Sequence, residues 1–204
     1  MNLEDTVRPY TMLSSKRIGL LIELASRIND DAIPGDMVEC GVCNGGSAAI
    51  LAHFATLAGK KTWLFDSFEG LPMTTKRDGP SVDGDKAEWH IGECVGSVDI
   101  VKEIITLAGG NLSQVAIIKG WFHETFPAVS IPQIAMLNLD SDWYESEKLC
   151  LRKFYDSVSP GGFVYFDDFF YWPGCQQAAT DFFRTKMTIP TFNRVEHSMW
   201  VQVK

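Results

Sequence analysis

A chain of 204 residues, 46 % apolar and 22 % charged, is long enough to close one hydrophobic core without staples. Its formal net charge of −8 argues against a nucleic-acid partner, because phosphate backbones require a basic surface. No stretch approaches the roughly 20 apolar residues of a membrane span, and Met1–Tyr10 carries Glu4 and Asp5 with no apolar core, so neither a span nor a signal peptide is expected.

The elements alternate along the chain. Ser14 is placed to cap a helix through Ile28, with Ile18, Leu21, Ile22, Ala25 and Ile28 at helical spacing. Pro34-Gly35 breaks it, and a short strand follows at Met37–Cys40. The loop Gly41–Gly46 turns the chain into an apolar helix from Ser47 to about Leu57. Thr62–Phe65 reads as a strand ending at Asp66. Pro72–Gly96 has no sustained period and is punctuated by glycines, the pattern of a functional or mobile loop. A helix resumes near Ser97, with Val101, Ile104, Ile105 and Ala108 on one face. Val115–Ile118 and Ile134–Leu139 read as strands, the second ending at Asp140. A helix over Glu145–Val158 is stopped by Pro160-Gly161-Gly162, and Phe163–Phe166 reads as a strand ending at Asp167-Asp168. Pro173-Gly174 precedes a helix to about Lys186, and Thr191–Val203 reads as two closing strands. Strands alternating with helices imply βαβ units around a parallel sheet.

The polar clusters fall at the C-terminal ends of these strands, where open α/β sheets bind ligands. The segment Val38-Glu39-Cys40-Gly41-Val42-Cys43-Asn44-Gly45-Gly46-Ser47 follows a strand and opens a helix. Its glycines permit a tight turn and close approach of a ligand to backbone. It fits neither GxGxxG nor a Walker A loop, and an ordinary strand-to-helix turn is the alternative. Asp66 ends the next strand, 25 residues after Gly41, where an acid can accept from ribose hydroxyls or simply form a turn. Asp140, Asp142, Asp167 and Asp168 end two more strands. Four close carboxylates repel unless a hard divalent cation neutralises them, and helix capping accounts for only one Asp at each strand end.

The five cysteines are Cys40, Cys43, Cys94, Cys150 and Cys175, an odd and scattered set that suggests free thiols in a reducing, cytoplasmic compartment. Cys40 and Cys43 form a CxxC, the spacing of redox or zinc sites. No second ligand pair accompanies it. His53 falls within an apolar helix, and His90 and His123 are candidates for substrate contact. Trp89, Trp121, Trp143 and Trp172 lie beside the proposed site and are candidates to line it.

Together these residues resemble the macrocin O-methyltransferase family, the TylF-, MycF- and NovP-like enzymes of sugar tailoring in natural products. The resemblance rests on Tyr10-Thr11-Met12, Val38–Ser47, Asp66–Pro72, Lys119–Phe122 with Thr125-Phe126-Pro127, Leu139–Ser146, Ser159–Gly162 and Asp167-Asp168. It covers nearly the whole chain, and its strings DSFEGLP and LDSDWYES are specific. It implies a class I methyltransferase fold: a Rossmann-like α/β three-layer sandwich around a mostly parallel seven-stranded sheet with an antiparallel last strand. It implies S-adenosyl-L-methionine as donor, Mg²⁺, a sugar-containing acceptor and room for a homo-oligomer. By the same resemblance Asp140, Asp167 and Asp168 are the metal ligands and Asp142 the general base. Glu39, Gly41, Asn44, Gly45, Gly46 and Ser47 are contacts to the methionine half of the donor. Asp66 is the ribose ligand, Trp121 borders the adenine, and Ser67, Phe68, Gly120 and Asp140 complete the donor contacts. The chain is short at the N-terminus relative to members that carry extra helical residues over the acceptor.

This chemistry suits the motifs, because a free alcohol is a poor nucleophile at neutral pH and a cation with a nearby carboxylate activates it. Three alternatives stay open: a metal-dependent hydrolase or phosphoryl-transfer enzyme on an α/β fold, a non-catalytic donor-binding protein, and a catechol-type methyltransferase. The last commonly uses a Lys near the first metal ligand, where this chain has Asp142.

Overall fold

The computed structural model describes residues 2–186 and 190–204. Seven strands form one sheet: β1 Asp36–Cys40, β2 Thr62–Asp66, β3 Val115–Lys119, β4 Ile134–Leu139, β5 Val158–Phe166, β6 Asn193–Val195 and β7 Ser198–Gln202. Their order is β3-β2-β1-β4-β5-β7-β6. Strands β1 to β5 pair in parallel, and β7 runs antiparallel to both β5 and β6. This is the expected doubly wound sheet with its last strand reversed.

Helices α1 Leu3–Val7, α2 Ser15–Asp30, α3 Gly46–Leu57 and α4 Val98–Leu107 cover one face; α5 Phe122–Thr125, α6 Tyr144–Phe154 and α7 Pro173–Arg184 cover the other. The two-residue period of the strands sorts the core between these layers. In β5, Phe163 and Tyr165 pack toward α2 and α3, whereas Val164 and Phe166 pack toward α6 and α7. Strand β1 splits likewise, Met37 one way, Val38 and Cys40 the other.

Ser14 caps α2 by accepting from the Arg17 amide, and Leu24 joins the helix's buried stripe while Ile22 is only half-buried. Helix α3 is buried on nearly all sides, and Ala48, Ala49, Ala52 and Ala55 let it sit close to the sheet. No helix among the described residues is long and apolar enough to cross a membrane.

Strand β5 departs from expectation. It begins at Val158 and continues through Pro160-Gly161-Gly162, where a stop was read. Pro160 is exposed there, Gly161 takes a positive φ of 86°, and the Gly161 amide donates to the Val203 carbonyl. The irregular pairing of Ile134–Met136 with this stretch absorbs the extra residues. Short α1, capped by the Asn2 side chain, and the single-turn α5 were not read from the sequence.

Candidate active site

Strands β1, β2, β4 and β5 deliver their last residues to one rim. The tips stay in register through backbone bonds: Gly41 N to Phe65 O, Asp140 N to Cys40 O and Asp167 N to Leu139 O, each 2.9 Å. The sheet order reverses between β1 and β4, the switch point where open α/β sheets bind ligands. A cavity of about 1250 Å³ opens there.

The glycine loop forms one wall. Gly41 has φ +90°, and a Cβ on it would overlap the Asp140 carbonyl, so the loop can lie against β4 only as glycine. Gly45, at φ +83°, caps α3 without a side-chain acceptor, which leaves the first-turn amides to a ligand. Asp66 holds the loop: its Oδ2 accepts from the amides of Val42 at 2.6 Å and Cys43 at 2.9 Å, and its Oδ1 from Phe68 at 2.7 Å. It thus performs the turn-forming role and also faces the cavity.

Of the expected donor contacts, Gly41, Asn44, Gly46, Ser47, Asp66, Ser67, Trp121 and Asp140 line the cavity. Glu39, Gly45, Phe68 and Gly120 lie behind its lining and shape it from there. Phe68 is buried in the core with φ +54°, and Gly120 packs on Thr125. Glu39 is fully buried; one oxygen accepts from Asn138 Nδ2 at 2.7 Å and the other has no partner among the described residues. Burial raises its carboxyl to about 8.

The opposite wall is acidic. Asp140, Asp142 and Asp168 can each offer an oxygen within 4.8 Å of the others. Burial, then the neighbouring carboxylates, hold Asp140 and Asp168 well above the usual carboxylate range; burial foremost lifts Asp142 to about 6. Asp142 sits at φ +56°, a left-handed conformation that Asp tolerates better than most residues. Three clustered carboxylates with no lysine in the cavity lining make a hard oxygen donor set that suits a divalent cation.

Asp167, expected as a third metal ligand, is placed differently. Both its oxygens receive Arg17 Nη1, at 3.1 and 2.9 Å, and its Oδ1 also accepts from Tyr165 Oη at 3.0 Å and Ser198 Oγ at 3.1 Å. The carboxylate is turned toward α2 and β7, outside the group of three. The physical reason is charge: a buried guanidinium is a stronger partner than a repelling carboxylate.

Trp121, Trp143 and Trp172 line the cavity, but Trp89 does not: it is 63 % exposed. His90 lines it, with Nδ1 2.7 Å from Glu93 Oε2, and the exposed His123 stands at its edge. His53 is bound to the Ala108 carbonyl at 2.7 Å and takes no part. Segment 72–96 forms the cavity's outer wall and is pinned to the domain. Asp78 Oδ1 accepts from the Tyr144 amide at 2.6 Å, capping α6 from a distance, and Trp143 Nε1 donates to the Pro72 carbonyl at 3.0 Å. Arg17 and Asp78 were missed in the sequence, since neither lies in a motif and both act on partners 66 or more residues away.

Comparison with known proteins agrees with this geometry. The macrocin-O-methyltransferase (TylF) family matches residues 4–200. The 8-demethyl-8-(2,3-dimethoxy-alpha-L-rhamnosyl)-tetracenomycin-C 4'-O-methyltransferase of Streptomyces olivaceus is 34 % identical over 179 residues, which span 85 % of this chain and 67 % of that protein. The mycinamicin III 3''-O-methyltransferase of Micromonospora griseorubida is 32 % identical over 184 residues, spanning 85 % and 70 %. The solved structure of the O-methyltransferase NovP aligns with a TM-score of 0.83 at 27 % identity, over 95 % of this chain and 82 % of that one. A match from residue 4 to residue 200, on a sheet of this order with a glycine loop at its switch point, places the chain in the macrocin O-methyltransferase family, as an S-adenosylmethionine-dependent O-methyltransferase.

Proposed function

We propose that the protein transfers a methyl group to a sugar hydroxyl of a small glycosylated natural product or nucleotide sugar, with Mg²⁺, in the cytoplasm. The observation that carries this is the three-carboxylate group facing the glycine loop across one cavity. The tetracenomycin-C 4'-O-methyltransferase named above acts, by its name, on a rhamnosyl-bearing compound, which supports the acceptor class.

Asn44, Gly46, Ser47 and the α3 amides would bind the methionine end of the donor, Asp66 its ribose, and Trp121 would border the adenine. Asp140 and Asp168 would hold the cation, with Asp167 free to join them only on release from Arg17. The cation, when bound, supplies positive charge that favours an ionised acceptor hydroxyl. Asp142 stands in the same group and takes the hydroxyl proton. Before the cation binds, its carboxyl stands at about 6, ionised at neutral pH yet more basic than an ordinary Asp. Trp143 and Trp172 pack edge to face at 5.0 Å and exclude water from the acceptor side. In-line transfer needs oxygen and methyl held about 3–3.5 Å apart, which the facing walls would provide. Segment 72–96 serves as a lid, hinged about the Asp78 anchor.

Titration calorimetry with S-adenosylhomocysteine, with and without Mg²⁺, followed by turnover on glycosides and nucleotide sugars, tests the proposal. Micromolar donor-product affinity, on the order of −8 kcal/mol, is expected. Turnover unchanged in EDTA would remove the metal role.

A further inference from the structure

The CxxC of the sequence does not form a thiol pair. Cys40 is buried in β1 and its thiol meets Cys150 on the α6 side. The Cys43 thiol instead faces Cys94, on the segment that forms the outer wall of the same cavity. The backbone brings them together: Gly96 packs so tightly on Cys43 that a Cβ there would overlap the Cys43 carbonyl. Asp66 fixes the Cys43 amide at 2.9 Å, and both cysteines take positive φ, 47° and 60°. Both are half-buried and line the cavity, whereas Cys40, Cys150 and Cys175 are buried.

The pair is also chemically unequal. The facing Cys94 thiol, helped by the Asn44 amide, lowers the Cys43 thiol to about 7 against the cost of burial, while the same pairing and burial push Cys94 up. One sulfur is therefore suited to attack and its neighbour to resolve the product.

We propose that Cys43 and Cys94 form a redox-sensitive dithiol site that takes low-molecular-weight disulfides, and that closing a Cys43–Cys94 bond shuts the donor side of the cavity. The first half rests on the thiol geometry alone; the second rests on the donor reading of the glycine loop. The Cys43 thiolate attacks one sulfur of a disulfide RSSR, forming a Cys43–S–S–R bond and releasing RS⁻. Cys94 then loses its proton and attacks the Cys43 sulfur, expelling the second RS⁻. The protein gives up two electrons and two protons, and RSSR becomes two RSH. A disulfide holds its sulfurs about 2.05 Å apart, far closer than two unbonded thiols. The bond therefore locks the outer wall against the glycine loop.

The test treats the full chain with oxidised glutathione, quenches by alkylation, and maps peptides without reduction. A Cys43–Cys94 cross-link is expected, with the three buried cysteines unmodified until denaturation. Cys94→Ser should accumulate glutathione on Cys43 without a cross-link, and Cys43→Ser should show neither. Oxidation should weaken S-adenosylhomocysteine binding roughly tenfold or more, with recovery in dithiothreitol. Cross-links among other cysteines would overturn the site; an oxidised protein that binds as tightly as the reduced one would overturn the closure. Failure of the reduced protein to bind S-adenosylhomocysteine would instead overturn the donor reading, and mass spectrometry still decides the cross-link.

Discussion

Arg17 and Asp167, 150 positions apart in the chain, form a two-point ion pair in which one guanidinium nitrogen lies 2.9 and 3.1 Å from the two carboxylate oxygens. Their side chains are 15 % and 9 % exposed, so little water screens the pair. It ties the first turn of α2 to the tip of β5, beside the acidic cluster. Arg17→Met would leave Asp167 with only neutral donors, at a cost of about 3 kcal/mol. Thermal unfolding in EDTA should show this as a lower Tm, with partial recovery on adding Mg²⁺. A Tm equal to wild type in EDTA would mean that the pair carries no net stability.

Asp140→Ala and Asp168→Ala should remove the Tm increase produced by Mg²⁺ while leaving S-adenosylhomocysteine affinity within a few-fold of wild type. Loss of one carboxylate relieves repulsion in the metal-free protein, so these variants should fold at least as well as wild type. Metal binding retained by both variants would exclude the cluster as the metal site.

Asp142 is assigned to the proton and not to the cation. Asp142→Asn should lower kcat by roughly 10²–10⁴, with Mg²⁺ affinity almost intact. If metal affinity collapses with the rate, Asp142 is a ligand and the base lies elsewhere.

Glu147 gives a pH dependence with a definite sign. Its carboxyl accepts from Ser141 Oγ at 2.6 Å, its other oxygen has no partner among the described residues, and burial raises it from 4.5 to about 7. The folded protein therefore favours the protonated form. Its stabilising contribution is full below pH 4.5 and is lost as pH rises through 7, a change on the order of 3 kcal/mol. Glu147→Gln should flatten this part of the profile, raising the urea midpoint at pH 8 relative to wild type and little at pH 4.5. Parallel profiles for the two proteins would show that Glu147 is not protonated by folding.

Segment 72–96 exposes Lys76, Arg77 and Lys86, while Asp78 between them and Ala87 just after them are buried. A hinged lid should be cut by trypsin at the exposed sites in the free protein and protected by S-adenosylhomocysteine plus acceptor. Asp78→Asn weakens the cap on α6 and should speed cleavage. Equal cutting rates with and without saturating ligands would leave a static wall.

Hydrophobic periodicity and turn residues act over a few positions, so much of the fold was legible in the sequence. Ser14 and the Ile18–Ile28 stripe mark α2, and the apolar run Ile134–Leu139 is β4 as read. The tips of parallel strands must share one edge, so chain order alone brought Gly41, Asp66, Asp140 and Asp168 to a common rim. Side-chain direction and long-range partners carry no such local signal. The continuation of β5 through Gly161-Gly162 depends on Val203, 42 residues from Gly161. Trp89 turned outward, although its neighbour His90 faces the cavity. Cys43 found Cys94 rather than Cys40, because strand alternation sends Cys40 to the other face of the sheet. The same holds for the two aspartates of Asp167-Asp168: adjacent in sequence, one turns to Arg17 and the other to the acidic cluster. Residue type and spacing determined which carboxylates reach the rim; only tertiary packing, by burying a guanidinium beside one of them, decided which of those charges stay unpaired.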